Sequence, residues 1–225
     1  MSSPESGHRE RLKAKFLSSG FAGLHDYEQL ELLLTFAIPR QDVKPVAKAL
    51  LKQFKSLPGI LDAPHSELVK VSGIGANAAT LLKVVKETCC EYLSANMQGD
   101  QVTLSTPCSV KDFARMKLGG SKNEAFMVIY LNTQNRVIDH EIEFVGTVNK
   151  TIVYPRNIIK NALLKDATGL IVVHNHPSGT PTPSKHDLEL TQSLKEAAQT
   201  VNIRLLDHLI VTQSSTLSFV EKNLL

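Results

Sequence analysis

Apolar residues recur at spacings of three and four over Arg9 to Leu17, Tyr27 to Ala37 and Val43 to Phe54, which predicts three amphipathic helices. Asp26 and Asp42 stand where helix N-caps belong, and Pro39 follows the second run. Pro58-Gly59 and Pro64 then interrupt the pattern, Ser66 caps a short turn, and Gly73-Ile74-Gly75 forms a tight hairpin. From Ala76 to about Met97, Ala78, Leu81, Leu82, Val85 and Cys89 share one face of a long helix. Polar Asn96 to Asp100, with Gly99, reads as a linker. Residues 1–98 are therefore expected to be an all-helical domain.

Beyond residue 101 the period changes. Phe126 to Leu131 is rich in strand-forming residues, Asn132 to Asn135 has turn chemistry, and a second strand starts at Arg136, which together predict a hairpin. Asn157 to Leu164 reads as a helix, Gly169 to His174 as a buried strand, Asp187 to Gln199 as an amphipathic helix and Arg204 to Thr212 as another strand. Residues 101–225 are thus expected to form a mixed α/β domain, and the whole chain belongs to the α+β class. Pro177 to Ser184 is a rigid loop, and no internal repeat is visible.

Composition narrows the functional classes. With 225 residues, 42% of them apolar and 21% charged, the chain is neither disordered nor collagenous. No apolar stretch approaches the roughly 18 residues of a membrane span, and the first ten residues carry no apolar signal core. A cytoplasmic protein without a membrane partner is expected. Cys89 and Cys90 are adjacent and Cys108 stands apart, with no C-x-x-C pair, so all three are expected to be reduced. The net charge of +3 does not by itself announce a nucleic-acid binder. Residues 40–90 nevertheless hold eight Lys or Arg against four acids.

The most informative stretch is His174-Asn175-His176-Pro177, followed by Ser184 and Asp187. Two histidines two apart on an extended segment project to the same side and can reach one ion. A loop with Gly179 and three prolines before Ser184 returns the chain so that Asp187, at a helix start, supplies a third donor. Three protein donors with the fourth position left to water are the arrangement of a catalytic zinc, one ion per chain. Ser184-x-x-Asp187 is equally a capping-box start for the helix. A two-histidine, one-carboxylate iron site uses similar donors, but no jelly-roll pattern surrounds these.

The string H-N-H-P-S-G-T-P-T-P-S-K-H-D from His174 to Asp187 resembles the JAMM motif of the JAB/MPN metallohydrolases, and most closely the RadC family. Phe126 to Asn135, Gly146-Thr147, Tyr154-Pro155-Arg156 and Leu206 to Val211 are similar to RadC as well, as is the helical first half. Ala37-Ile38-Pro39-Arg40 departs from the small glycine-containing connection expected after the second helix. The resemblance implies a JAB/MPN, cytidine-deaminase-like domain and zinc-dependent hydrolysis of a peptide or isopeptide bond in an unidentified protein or peptide. It also implies Glu124 as general base, with Glu141 and Glu143 open as alternatives, and Ser184 as oxyanion donor. His208 reads as a buried, satisfied histidine or as a partner to a metal ligand. Open beside this are a DNA-repair-associated module with a structural or vestigial metal site, and a metal-dependent nuclease. The chain lacks the H-x-H-x-D-H spacing of one large group of two-metal hydrolases, since Ser178 and Gly179 follow His176-Pro177.

Leu68 to Lys83, around Gly73-Ile74-Gly75, resembles a helix-hairpin-helix motif. Glycines there allow a tight turn and expose N–H groups at a helix start, where a phosphate of sequence-nonspecific DNA can bind. Lys70 and Lys83 flank the turn as candidate phosphate partners. A plain connector between two helices has the same pattern.

Overall fold

A computed structural model describes residues 4–98, 107–146 and 153–225. The chain divides into two compact units, Met1–Thr88 and Cys89–Leu225.

The first unit is helical: α1 (Pro4–Ser19), α2 (Asp26–Ala37), α3 (Lys44–Phe54), α4 (Leu57–Asp62), α5 (His65–Leu68) and the first half of α6 (Ala76–Gln98). Its core gathers Leu30, Leu34, Leu50, Ile60, Leu68 and Leu82. Several starts differ from expectation by a residue or more. α2 is capped by a box between His25 and Glu28, with Asp26 already inside the helix. Asp42 accepts the Lys44 N–H, one residue ahead of the N-cap Val43. Pro58-Gly59 does not break the chain: the Ser56 hydroxyl accepts the Gly59 N–H and Pro58 occupies the first turn of α4, where its missing N–H costs nothing. Ser66 lies inside α5 rather than capping it. The glycine-free Ala37–Arg40 connection is closed by Arg9, whose guanidinium donates to the carbonyls of Ile38, Pro39 and Gln41.

In the hairpin before α6, Gly73 has φ +88, and a Cβ there would lie 2.6 Å from Val46 Cγ2. Both the conformation and the close approach of α3 require glycine. The expected linker is helical as far as Gln98; Gly99 and Asp100 lie outside the described residues.

The second unit is an α+β sandwich. Its sheet runs β2 (Val137–Gly146), β1 (Glu124–Leu131), β3 (Gly169–Asn175), β4 (Arg204–Val211) and β5 (Thr216–Ser218). β1 is antiparallel to both neighbours, β3 and β4 are parallel, and β5 returns antiparallel on β4. β1 alternates poorly because it is internal, and every residue from Ala125 to Leu131 is buried. The hairpin turn uses Asn132, whose side chain accepts the Gln134 and Arg136 N–H groups, and Asn135 at φ 57. One sheet face packs Phe126, Val128, Val172 and Leu170 against α8 (Pro155–Leu164) and α9 (Lys185–Gln199). The other packs Met127, Ile129 and Val173 against α7 (Pro107–Leu118) through Val110, Phe113 and Leu118. α7 and β5 add to the elements read from sequence. The sheet face toward α9 carries the site, because His174 follows Leu170 and Val172 at period two.

Candidate metal centre

His174 is the penultimate residue of β3, where the strand leaves the core, and His176 follows just past its end. The Pro177–Pro183 loop turns at Gly179, with φ +83 and its N–H on the His176 carbonyl at 3.0 Å. Ser184 then caps α9. Its hydroxyl accepts the Asp187 N–H at 3.2 Å and donates to Asp187 Oδ2 at 2.7 Å, while the Ser184 N–H donates to the same oxygen at 2.7 Å. The capping box and the donor set are therefore one arrangement: the cap aims the Asp187 carboxylate back at the histidines.

His174 Nε2 and His176 Nε2 lie 2.8 Å apart, with Asp187 Oδ1 3.3 Å from the first and Oδ2 3.5 Å from the second. These three residues are the group able to hold a metal ion among the described residues. Donors bonded at about 2.0–2.1 Å to a tetrahedral ion lie about 3.3 Å apart, so the spacing fits a single small cation. Two neutral imidazoles and one carboxylate are also a donor set that suits zinc.

Burial opposes ionisation of Asp187, but hydrogen bonds from His174, His176 and Ser184 outweigh it and hold its carboxyl well below the usual carboxylate range. The same contact with Asp187 raises His176 against the opposing effect of burial. His208 is pushed down to about 3, by desolvation first and by the neighbouring histidines second.

The surroundings hold the imidazoles from behind. His176 Nδ1 lies 2.9 Å from the Thr180 carbonyl, His174 Nδ1 2.8 Å from His208 Nε2, and His208 Nδ1 2.6 Å from Thr191 Oγ1. Phe126 stacks on His174 at 6.4 Å between ring centroids, and Phe219 on His208 at 4.5 Å. Sequence reasoning left His208 between two readings and passed over Thr191. The usable signal was a polar residue on the buried face of α9, one turn after Asp187.

Glu124 opens β1 and lines a cleft of about 60 Å³ with Phe126, Val153, His174, His186 and Asp187. Its position is fixed through Asn175, the fully buried residue between the two histidines. The Asn175 amide oxygen accepts the Ala125 N–H at 2.7 Å, and its NH₂ donates to the carbonyls of Asn123 (3.1 Å) and Ser121 (3.3 Å). Glu141 and Glu143 are engaged elsewhere. Both carboxylates lie 3.2 Å from the Tyr130 hydroxyl and accept from Asn161, and Glu141 also pairs with Lys165 at 2.9 Å.

The hairpin residues Gly73 and Gly75 are exposed at the start of α6. Lys70 is exposed and paired with Glu67 at 2.9 Å. Lys83 is held differently. Its ammonium turns inward and donates to the carbonyls of Leu61 (2.6 Å) and Ala63 (3.0 Å) at the end of α4, and the resulting desolvation lowers its pKa.

Residues 104–224 match the model of the RadC-like JAB domain, and residues 5–80 match that of the UPF0758 N-terminal region. Among similar curated proteins, a UPF0758 protein of Fusobacterium nucleatum subsp. nucleatum is 40% identical over 97% of each chain. One of Ruegeria pomeroyi is 41% identical over 94% of each. One of Rhodobacter capsulatus is 39% identical over 95% of this chain and 100% of its own. With both halves matched in order and these relatives aligned almost end to end, the chain belongs to the RadC-like JAB family, carrying a UPF0758 N-terminal region ahead of its JAB domain.

Proposed function

We propose that the protein is a zinc-dependent hydrolase of amide bonds, acting on a peptide or isopeptide. The observation that supports it most is the convergence of His174, His176 and Asp187 at 2.8–3.5 Å beside the Glu124 cleft. Zinc held by those three residues supplies a Lewis acid that makes a water nucleophilic near neutral pH.

The remaining roles fall to side chains around the cleft. Glu124 takes the proton of the attacking water and delivers it to the leaving nitrogen, as a general base and then acid. Asn175 keeps the Glu124 backbone in register with the histidines on either side of it. Ser184 donates to the substrate carbonyl oxygen as negative charge develops there. That donation requires its hydroxyl to rotate off Asp187 Oδ2, which the Ser184 N–H continues to hold. Glu141 and Glu143, committed to Tyr130, Asn161 and Lys165, take no part.

The test is incubation of the zinc-loaded full chain with a mixed peptide and isopeptide library in ¹⁸O-water, read by mass spectrometry. New carboxyl termini carrying one ¹⁸O are expected, with turnover falling about 10²–10⁴-fold in Glu124→Gln at unchanged zinc content. Equal turnover in Glu124→Gln sinks that assignment, and cleavage of a phosphodiester but of no amide makes the site a nuclease.

A second reading, of the helical unit, has its own observation. Lys44, Lys48 and Lys52 follow one another at four-residue spacing on the face of α3 opposite Val46 and Leu50. Lys48 and Lys52 are exposed, Lys44 and Lys48 lie 5.3 and 5.2 Å from the Tyr27 ring centroid, and Val46 brings α3 against Gly73. Among the described residues, no acid pairs with any of the three. This stripe beside the exposed hairpin suits sequence-independent contact with DNA phosphates, with α3 replacing Lys83 as the source of charge.

A further inference from the structure

Behind the candidate metal donors runs a buried chain of polar contacts that starts and ends on those donors. Thr191 Oγ1 lies 2.5 Å from the Asp187 carbonyl and 2.6 Å from His208 Nδ1; His208 Nε2 lies 2.8 Å from His174 Nδ1. Thr191 is 3% exposed, His208 0% and His174 9%, so water does not offer alternative partners to the two inner groups. The proton positions along this chain follow by elimination.

A carbonyl oxygen only accepts, and two oxygens at 2.5 Å need a hydrogen between them, so the Thr191 hydroxyl donates to the Asp187 carbonyl. Thr191 has no second proton. It must therefore accept from His208, which carries its hydrogen on Nδ1. With that hydrogen on Nδ1, the lone pair of His208 Nε2, in a ring that is 0% exposed, accepts from His174 Nδ1–H at 2.8 Å. His174 Nε2 is then the nitrogen turned toward His176 and Asp187. His176 is oriented more simply, through the Thr180 carbonyl on its Nδ1. The two Nε2 atoms face each other across 2.8 Å.

We propose that Thr191 and His208 are positioning residues that hold His174 Nδ1 as a hydrogen-bond donor, so that Nε2 is the nitrogen turned toward His176 and Asp187. Resting on the metal reading given above, this assigns the work behind a ligand to β4, which supplies no donor, and to α9, which also carries Asp187. A histidine ligand is tuned by the group its other nitrogen meets. Here that group is a second histidine, itself oriented from the backbone of Asp187. The lock therefore ties two donors together: α9 cannot shift Asp187 without moving Thr191, His208 and the His174 ring.

The experiment uses the ¹⁵N-labelled full chain, first metal-free and then titrated with zinc against a competing chelator. Long-range imidazole ¹H–¹⁵N correlations report which nitrogen of His174 carries hydrogen. The Nδ1–H form is expected in the wild-type chain, and His208→Leu is expected to release it and to weaken zinc binding about 10–100-fold. In His208→Gln the amide oxygen accepts from His174 Nδ1–H and the NH₂ faces Thr191, so the tautomer is expected to return and affinity to recover to within a few-fold. Thr191→Val, which keeps the shape and removes the hydroxyl, provides the same reading should His208→Leu fail to fold. An Nε2–H form of His174 in the wild-type chain, or unchanged tautomer and zinc affinity in folded His208→Leu or Thr191→Val, overturns the proposal. A wild-type chain that shows the Nδ1–H form but takes up no zinc overturns the metal reading and leaves the lock standing.

Discussion

The polar interior of the helical unit and that of the sheet unit use similar side chains to opposite ends. In the first, Lys86 meets Asp62 at 2.8 Å with both nearly buried, and Lys83 meets two helix-end carbonyls. In these contacts donors face acceptors and opposite charges face each other. In the second, three groups able to bind a cation converge: two imidazole nitrogens and a carboxylate whose other contacts hold them in place. Buried polar groups that complement one another make structure, while groups of like character held together by a supporting shell make a site. This distinction separates Lys83, which sequence placed among the binding residues, from His174, which looks no more exposed.

The comparison is most easily broken at Lys86. Lys86→Met leaves Asp62 without its ammonium partner and is expected to cost about 3 kcal/mol, seen as a fall of more than about 10 °C in the calorimetric transition of the helical unit. A change within about 0.5 kcal/mol would show that the pair behaves as a surface contact.

Next in size is Asn175→Ala. It strands the Ala125 N–H and removes a donor from the carbonyls of Ser121 and Asn123, at an expected cost of about 2 kcal/mol in chemical denaturation. Hydrogen exchange at the Ala125 amide should quicken more than at Val128 in mid-strand. Equal protection in the variant would mean that Asn175 does not hold the start of β1.

The smallest effects concern Lys83 and the α3 lysines. Lys83→Met is expected to destabilise the chain by about 1 kcal/mol and to leave the salt dependence of duplex binding untouched. Lys48→Ala and Lys52→Ala should do the reverse, each lowering the log–log salt slope by about one with stability within about 0.5 kcal/mol. A lower slope in Lys83→Met, with none in the α3 variants, would restore Lys83 as the phosphate partner.

What was legible in the sequence follows the range of each interaction. His174, His176, Ser184 and Asp187 lie within 14 residues, on a strand end and the next helix cap, so spacing alone brings them together. The helix over Pro107–Leu118 was not read, although Val110, Phe113, Ala114 and Leu118 stand at helical spacing there. The His208 contact was not legible. It depends on the parallel pairing that sets Val172 opposite His208, 34 residues beyond His174, and nothing local in β4 reveals that register. The inward contacts of Lys83 were illegible for the same reason, since its acceptors lie 20 and 22 residues back at a helix end that Pro58-Gly59 obscures. Local chemistry picked out the candidate side chains, and the packing of distant segments decided how each is held.

The most direct measurement is the zinc content and affinity of the purified full chain beside Asp187→Asn, by elemental analysis and chelator competition. One zinc per chain is expected in the wild type, with affinity falling as the pH drops through the imidazole range because protons compete for the same nitrogens. Asp187→Asn should lose most of the metal while α9 remains folded, since an amide still caps the helix. Equal zinc in the two proteins, or none in the wild type at saturating zinc near neutral pH, would contradict the account and leave Asp187 as a helix cap alone.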